Sequence, residues 1–249
     1  MLSREALAGC RCSLSALHPS TLTSIGNLAG VLRARGKLDE AEPLYREDLV
    51  GCRSTLGDSH PSTLTSIGHL AHLLQEKGKL GEAELMHREA LDGRRRALGS
   101  VHPDTLGSME DLARVLKARR KPGEAEPLYR EALGGCRRML GDAHPHTRTS
   151  MNNLALLLQE RGKLGEAEPL CREVLGGQRR ASGDLHPNTL GSIRNLAILL
   201  EKRGQLDEAE ALYRESIKGC LCTLGASPPE VKAALDNLKR FLRAHGRSP

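Results

Sequence analysis

His69 and His72 stand three residues apart, on one face if the segment is helical, and could supply two ligands to a metal ion. No third ligand is fixed by the local pattern, so no metal site is expected. Cys10-x-Cys12 and Cys220-x-Cys222 look like paired thiolate donors, but 210 residues separate them and the two pairs cannot meet in one monomeric centre. A His-Pro pair recurs at His18, His60, His102, His144 and His186, always 42 residues apart. Histidines placed about 10 Å from one another by helix packing are too far apart for one tetrahedral ion. Neither a nucleophile with its base in a strained turn, nor a glycine-rich phosphate loop, nor an HExxH helix occurs. The carboxylates recur in step with arginines and offer no pair whose environments would separate an acid from a base. The expected protein is non-catalytic, with no metal, no cofactor and no small-molecule substrate.

The regular spacing shifts attention from single residues to the elements that must position them. Ala41, Ala83, Ala125, Ala167 and Ala209 keep the phase of the His-Pro pairs, as do Glu42, Glu84, Glu126, Glu168 and Glu210 with an arginine four residues later. The chain is a repeat array. In each unit the segment after His-Pro carries Leu64, Ile67, Leu70, Ala71 and Leu74 or their counterparts at three- and four-residue steps, the stripe of an amphipathic helix. Proline suits its first turn, Ser59 or His60 can cap it, and Gly78 ends it. A second helix begins near Leu80, buries Ala83, Met86, Ala90 and Leu91, and stops at Gly99. Ala71 and Ala83 mark a close approach of the two helices.

The repeat frame gives the domain organisation: one array over 1–249. It has a partial repeat of a second helix over 1–17 and full repeats over 18–59, 60–101, 102–143, 144–185 and 186–227. A terminal capping helix follows over 228–249, where Lys239 replaces the in-phase alanine. The chain opens midway through a second-type helix, as a piece of a longer array would. One joint breaks the rule: Arg120 stands where Gly36, Gly78, Gly162 and Gly204 close their helices, with Pro122 in place of leucine. This joint is expected to be remodelled or softer.

With 39% hydrophobic residues, no tryptophan and one phenylalanine, the core must be built from aliphatic side chains. No segment is apolar for long enough to enter a membrane, and seven cysteines in a chain of 249 residues are expected to be reduced thiols. The net charge of +6 suits a soluble protein with a basic surface.

The segments Asn27 to Leu49 (NLAGVLRARGKLDEAEPLYREDL) and Asn152 to Leu175 (NNLALLLQERGKLGEAEPLCREVL), each flanked by HP and LG, resemble the tetratricopeptide pattern with eight extra residues. That 42-residue form is similar to the repeats of the kinesin light chain family and of nephrocystin-3-like proteins. The resemblance covers essentially the whole chain. It implies an all-α fold, a right-handed α-solenoid whose first-type helices line a concave groove. It also implies a scaffold that binds a protein or an extended peptide, in the cytoplasm and in association with the cytoskeleton. Nothing in the chain resembles the heptad coiled coil that joins light chains to the motor, and motor association stays open.

By the same resemblance, the position read by Asn27, His69, Asp111, Asn153, Asn195 and Asn237 faces the groove, where asparagine hydrogen-bonds the backbone of an extended cargo peptide. The neighbouring positions vary: Asn152 and Arg194 before it, and Arg114, Leu156 and Ile198 three residues after. Arg114 and Arg194 would suit a peptide carrying acidic residues, and Leu156 and Ile198 would add apolar contact. Arg53, Arg95, Arg137 and Arg179 form a second in-phase set on the lengthened second helices, a basic ridge that could attract nucleic acid or an acidic surface. No aromatic residues accompany it for base stacking.

Overall fold

The computed structural model describes residues 15, 17–224 and 229–247, and among them eleven α-helices and no strand. The first-type helices have 16 residues each: α1 (Pro19–Ala34), α3 (Pro61–Glu76), α5 (Pro103–Ala118), α7 (Pro145–Glu160), α9 (Pro187–Lys202) and α11 (Pro229–Ala244). They alternate with 19-residue second-type helices: α2 (Leu38–Leu56), α4 (Leu80–Leu98), α6 (Pro122–Leu140), α8 (Leu164–Ser182) and α10 (Leu206–Leu224). Cys10, Cys12 and Pro228 lie outside the described residues, as does the helix expected over 1–17 apart from Ser15 and Leu17.

The chain divides into two compact units, Met1–Met139 and Leu140–Pro249. Within each, every helix packs on its neighbours in sequence, α1 through α5 in the first and α7 through α11 in the second. This is the all-α helix-pair stacking of an α-solenoid.

The His-Pro pair starts each helix by two devices. Proline occupies the first turn, where its missing N–H has no intrahelical acceptor. The histidine is the cap: the Nδ1 atoms of His18, His60, His102, His144 and His186 accept from the backbone N–H two residues on, at 3.1 to 3.2 Å. A buried threonine adds a tie that the sequence pattern did not reveal. Thr63 and Thr189 donate to the carbonyls of Gly57 and Gly183, both at 2.8 Å, pinning the start of one helix to the end of the last.

The joint at Arg120 corrects the sequence expectation of remodelling. Arg120 adopts φ 59, beside 74 at Gly78, and the closing bonds are the same: Lys121 N–H to Leu116 at 2.8 Å, Lys79 N–H to Leu74 at 2.9 Å. The next helix, α6, starts at Pro122, in register with the other second-type helices. The fold imposes the left-handed conformation on arginine.

The core is aliphatic, with Ala71 and Ala83 fully buried as expected. The buried stripe is wider than one face, because Leu73, Val115, Leu157 and Leu199 are also fully buried. A first-type helix such as α3 packs on both α2 and α4, so it needs two apolar faces. On the second-type helices Gly51, Gly93, Gly135 and Gly219 meet Leu22, Leu64, Leu106 and Leu190 of the preceding first-type helix so closely that an added Cβ would stand 2.3 to 2.4 Å from a leucine methyl.

The repeated glutamates are more than partners for an arginine one turn away. Glu84 is buried, and it accepts from Arg88 of its own helix at 3.0 Å, from Arg119 and from Lys121 at 3.2 Å in the next hairpin. Glu42 does the same with Arg46, Lys77 and Lys79, and Glu210 with Arg214 and Arg247. Hydrogen bonds from Lys77 and then Arg46 hold the Glu42 carboxyl down at about 2, against the opposing effect of burial. Glu42, Glu84 and Glu210 therefore each tie their own helix to the repeat that follows.

Candidate partner-binding grooves

Within each unit a pair of successive first-type helices leaves a depression, floored by the second-type helix they share. In the first unit, α1, α2 and α3 enclose about 350 Å³, with Asn27 and His69 at its sides and Asp48, Cys52 and Ser66 toward its floor. In the second unit, α7, α8 and α9 enclose about 480 Å³, lined by Arg148, Asn152, Gln178, Arg194 and Asn195. No carboxylate lines this second depression.

The predicted residues are distributed unevenly over these surfaces. Asn195 donates its amide to Asn152 at 3.3 Å, which orients both side chains over the second depression. Arg194 is half-buried and makes no ion pair among the described residues. Asn153, Leu156, Ile198 and Asn237 are half-buried on their helices but border neither depression. Asp111 and Arg114 pair with each other, and Asp111 also takes His72 Nε2 at 3.3 Å from the neighbouring repeat. Burial alone would raise the Asp111 carboxyl, but the hydrogen bond from His72 and the charge of Arg114 hold it below its ordinary value.

His69 stacks obliquely near Tyr45, with ring centroids 5.8 Å apart, and His72 lies edge-on to His87 at 5.1 Å. His87 is buried, its Nε2 has no hydrogen-bond partner, and burial pushes its pKa down to about 4.

Three participants escaped sequence reasoning: Asp48 and His87 because groove variation was sought on the first-type helices alone, and Arg148, on first-type α7, because only the asparagine column and its neighbours were compared there. Asp48 and His87 are the odd members of otherwise apolar, small or aromatic columns, and Arg148 is the odd member among the five full repeats. Asp48 shares its column with Ala90, Ala132, Val174 and Ser216, Arg148 with four leucines and Lys232 of the terminal helix, and His87 with Tyr45, Tyr129, Cys171 and Tyr213. Comparing those columns would have found them.

The arginine ridge is paired. Arg95 meets Glu131 at 2.6 Å and Arg179 meets Glu215 at 2.5 Å, while Arg53 bonds Glu89, each time from one second-type helix to the next. Arg53 and Arg179 also reach Asp58 and Asp184 at 3.3 and 3.1 Å. Within each unit the charges on neighbouring second-type helices alternate. Arg137 continues the column.

The sequence profile of the tetratricopeptide repeat matches residues 20–96, 69–138, 105–175 and 146–220. The chain belongs to the tetratricopeptide repeat family. Its repeats are of the kinesin-light-chain-like kind: a putative kinesin light chain of Podospora anserina with nearly identical repeats is 30% identical, with a TM-score of 0.77 over 84% of this chain and 99% of that one. BtubC (BKLC) of P. vanneervenii shares the fold at 22% identity, TM-score 0.78, covering 91% of each chain. YrrB, described as a tetratricopeptide repeat protein with an unusual peptide-binding site, is 16% identical with a TM-score of 0.57, covering 87% of this chain and 91% of that one. A search of curated protein sequences gave no significant match. Among its described residues this tetratricopeptide repeat protein has no helix long and apolar enough to cross a membrane.

Proposed function

We propose that this kinesin-light-chain-like array is a non-catalytic scaffold that holds an extended segment of a protein partner in the grooves of its first-type helices. The observation that carries the reading is the second-unit depression. A half-buried, unpaired Arg194 stands beside the hydrogen-bonded pair of Asn152 and Asn195, and no acidic residue lines the same space. Amides that can donate to and accept from a peptide backbone suit an extended strand of any sequence, and the guanidinium adds a preference for an acidic side chain. Peptide binding in the solved neighbour YrrB and the family's general use as an interaction scaffold are consistent with it. The ridge arginines are engaged by glutamates, so no observation favours nucleic acid as the principal ligand.

The test is affinity capture with the purified chain and with a variant carrying Asn195→Ala and Arg194→Ala. Partners lost from the variant identify this groove as the binding surface. An unchanged set of partners would place binding elsewhere and refute the reading.

A further inference from the structure

Asp48 is the one acidic residue in its column, where the other repeats place alanine, valine or serine. It is 5% exposed and sits on the second-type helix α2 beneath the first-unit depression. Its oxygens accept from two neutral donors, the Ser66 hydroxyl at 2.6 Å and the Cys52 thiol at 3.6 Å. Among the described residues no lysine or arginine pairs with it. A buried carboxylate without a cation costs stability unless something supplies the missing charge. Burial raises its pKa against the hydrogen bonds from Ser66 and Cys52, and His69, on the rim of the same depression, has its own pKa pushed down by burial and so supplies no lasting positive charge.

The space above Asp48 is open because of glycine. A Cβ at Gly26 would stand 3.5 Å from the carboxylate, so a longer side chain there would fill the approach to it. Pro19, Leu22 and Leu56 provide apolar wall, and Asn27 provides an amide at the side. Apolar walls above a carboxylate floor match a side chain with a methylene stem and a cationic head.

We propose that the first-unit groove takes a lysine or arginine side chain of the bound partner, with Asp48 as its counter-ion. This assignment rests on the groove-binding reading above and adds a chemical class to it. The first unit thereby selects the opposite charge from the one Arg194 selects in the second.

The experiment is selection of a random dodecapeptide display library on the full wild-type chain and on Asp48→Ala, the residue found at Ala90 and Ala132. Selected peptides are then resynthesised with each basic residue changed to glutamine. The expected result is a recurrent lysine or arginine whose replacement weakens binding about tenfold to wild type and less than about twofold to Asp48→Ala. Asp48→Ala should also melt at a higher temperature than wild type, since an unpaired buried charge has been removed. Peptides that bind but show no basic position, or the same loss with both proteins, overturn the assignment and leave groove binding intact. A lowered melting temperature together with unchanged peptide preference would mean that Asp48 serves packing alone. A selection that yields no binding peptide from either protein would refute groove binding and this assignment together.

Discussion

Arg120 is the only residue other than glycine with positive φ among the described residues, and its neighbours make the same closing bonds as the glycine joints. The cost is therefore local to one residue. Arg120→Gly should raise stability by about 1 kcal/mol, read as a shift of the urea midpoint at constant slope; no shift would mean that the arginine side chain compensates. The sequence located this residue, and the remodelling expected of it does not occur, because propensity says what a conformation costs and packing decides whether it is adopted. His87 illustrates a different blindness: nothing local marks a histidine as buried, and only its column of tyrosines does. The unfolded chain takes up this proton near 6.5 and the folded chain only near 4. Stability is thus whole above about 6.5 and is lost as pH falls toward 4, by on the order of 3 kcal/mol in total. His87→Tyr should flatten the melting temperature between pH 7 and pH 4, and an unchanged slope would show that other groups control it.

At the scale of the element, the His-Pro, alanine and glutamate columns made nearly every helix legible, since each records a requirement internal to one repeat. Contacts between helices were harder to read. Glycines inside the second-type helices look like weak points in a sequence, whereas Gly51, Gly93, Gly135 and Gly219 are where a leucine of the first-type helix sinks deepest. The contrast is testable within α4. Gly93→Ala drives a methyl into the buried side chain of Leu64, 2.3 Å from its Cδ2 atom, and should cost about 1 to 3 kcal/mol in chemical denaturation. Gly81→Ala meets nothing within 4 Å at the start of the same helix and should instead stabilise by about 0.5 to 1 kcal/mol. Equal effects of the two would mean that helix propensity, and not the crossing, sets the role of these glycines. The repeat of Arg148 and Gly177 relieves this crossing differently, with the arginine side chain lying against the glycine.

Over the whole molecule, 37 lysines and arginines face 31 aspartates and glutamates, and composition alone predicts a basic surface. What composition omits is pairing at a distance of 36 residues, the offset by which Arg53, Arg95 and Arg179 find Glu89, Glu131 and Glu215 on the next second-type helix. That offset is invisible to the one-turn rule for helical ion pairs, and it appears only once the 42-residue period is set beside the stacking of helices. The pairing makes a definite forecast for the nucleic-acid reading. Four free arginines in a row, each neutralising one phosphate of a single strand, would give a slope of log affinity against log salt of about −3. Arginines already held by glutamates release few counterions, so a labelled oligonucleotide titrated by fluorescence anisotropy should bind weakly at low salt, with a slope shallower than about −1, and not measurably at physiological salt. Replacing Glu89, Glu131 and Glu215 by glutamine, together with Asp58 and Asp184 by asparagine, should steepen the slope and strengthen binding, because it removes the carboxylates that hold Arg53, Arg95 and Arg179. A steep slope in the wild-type chain would show instead that the pairing opens readily enough to serve phosphate, and the ridge would then have to be counted as a binding surface.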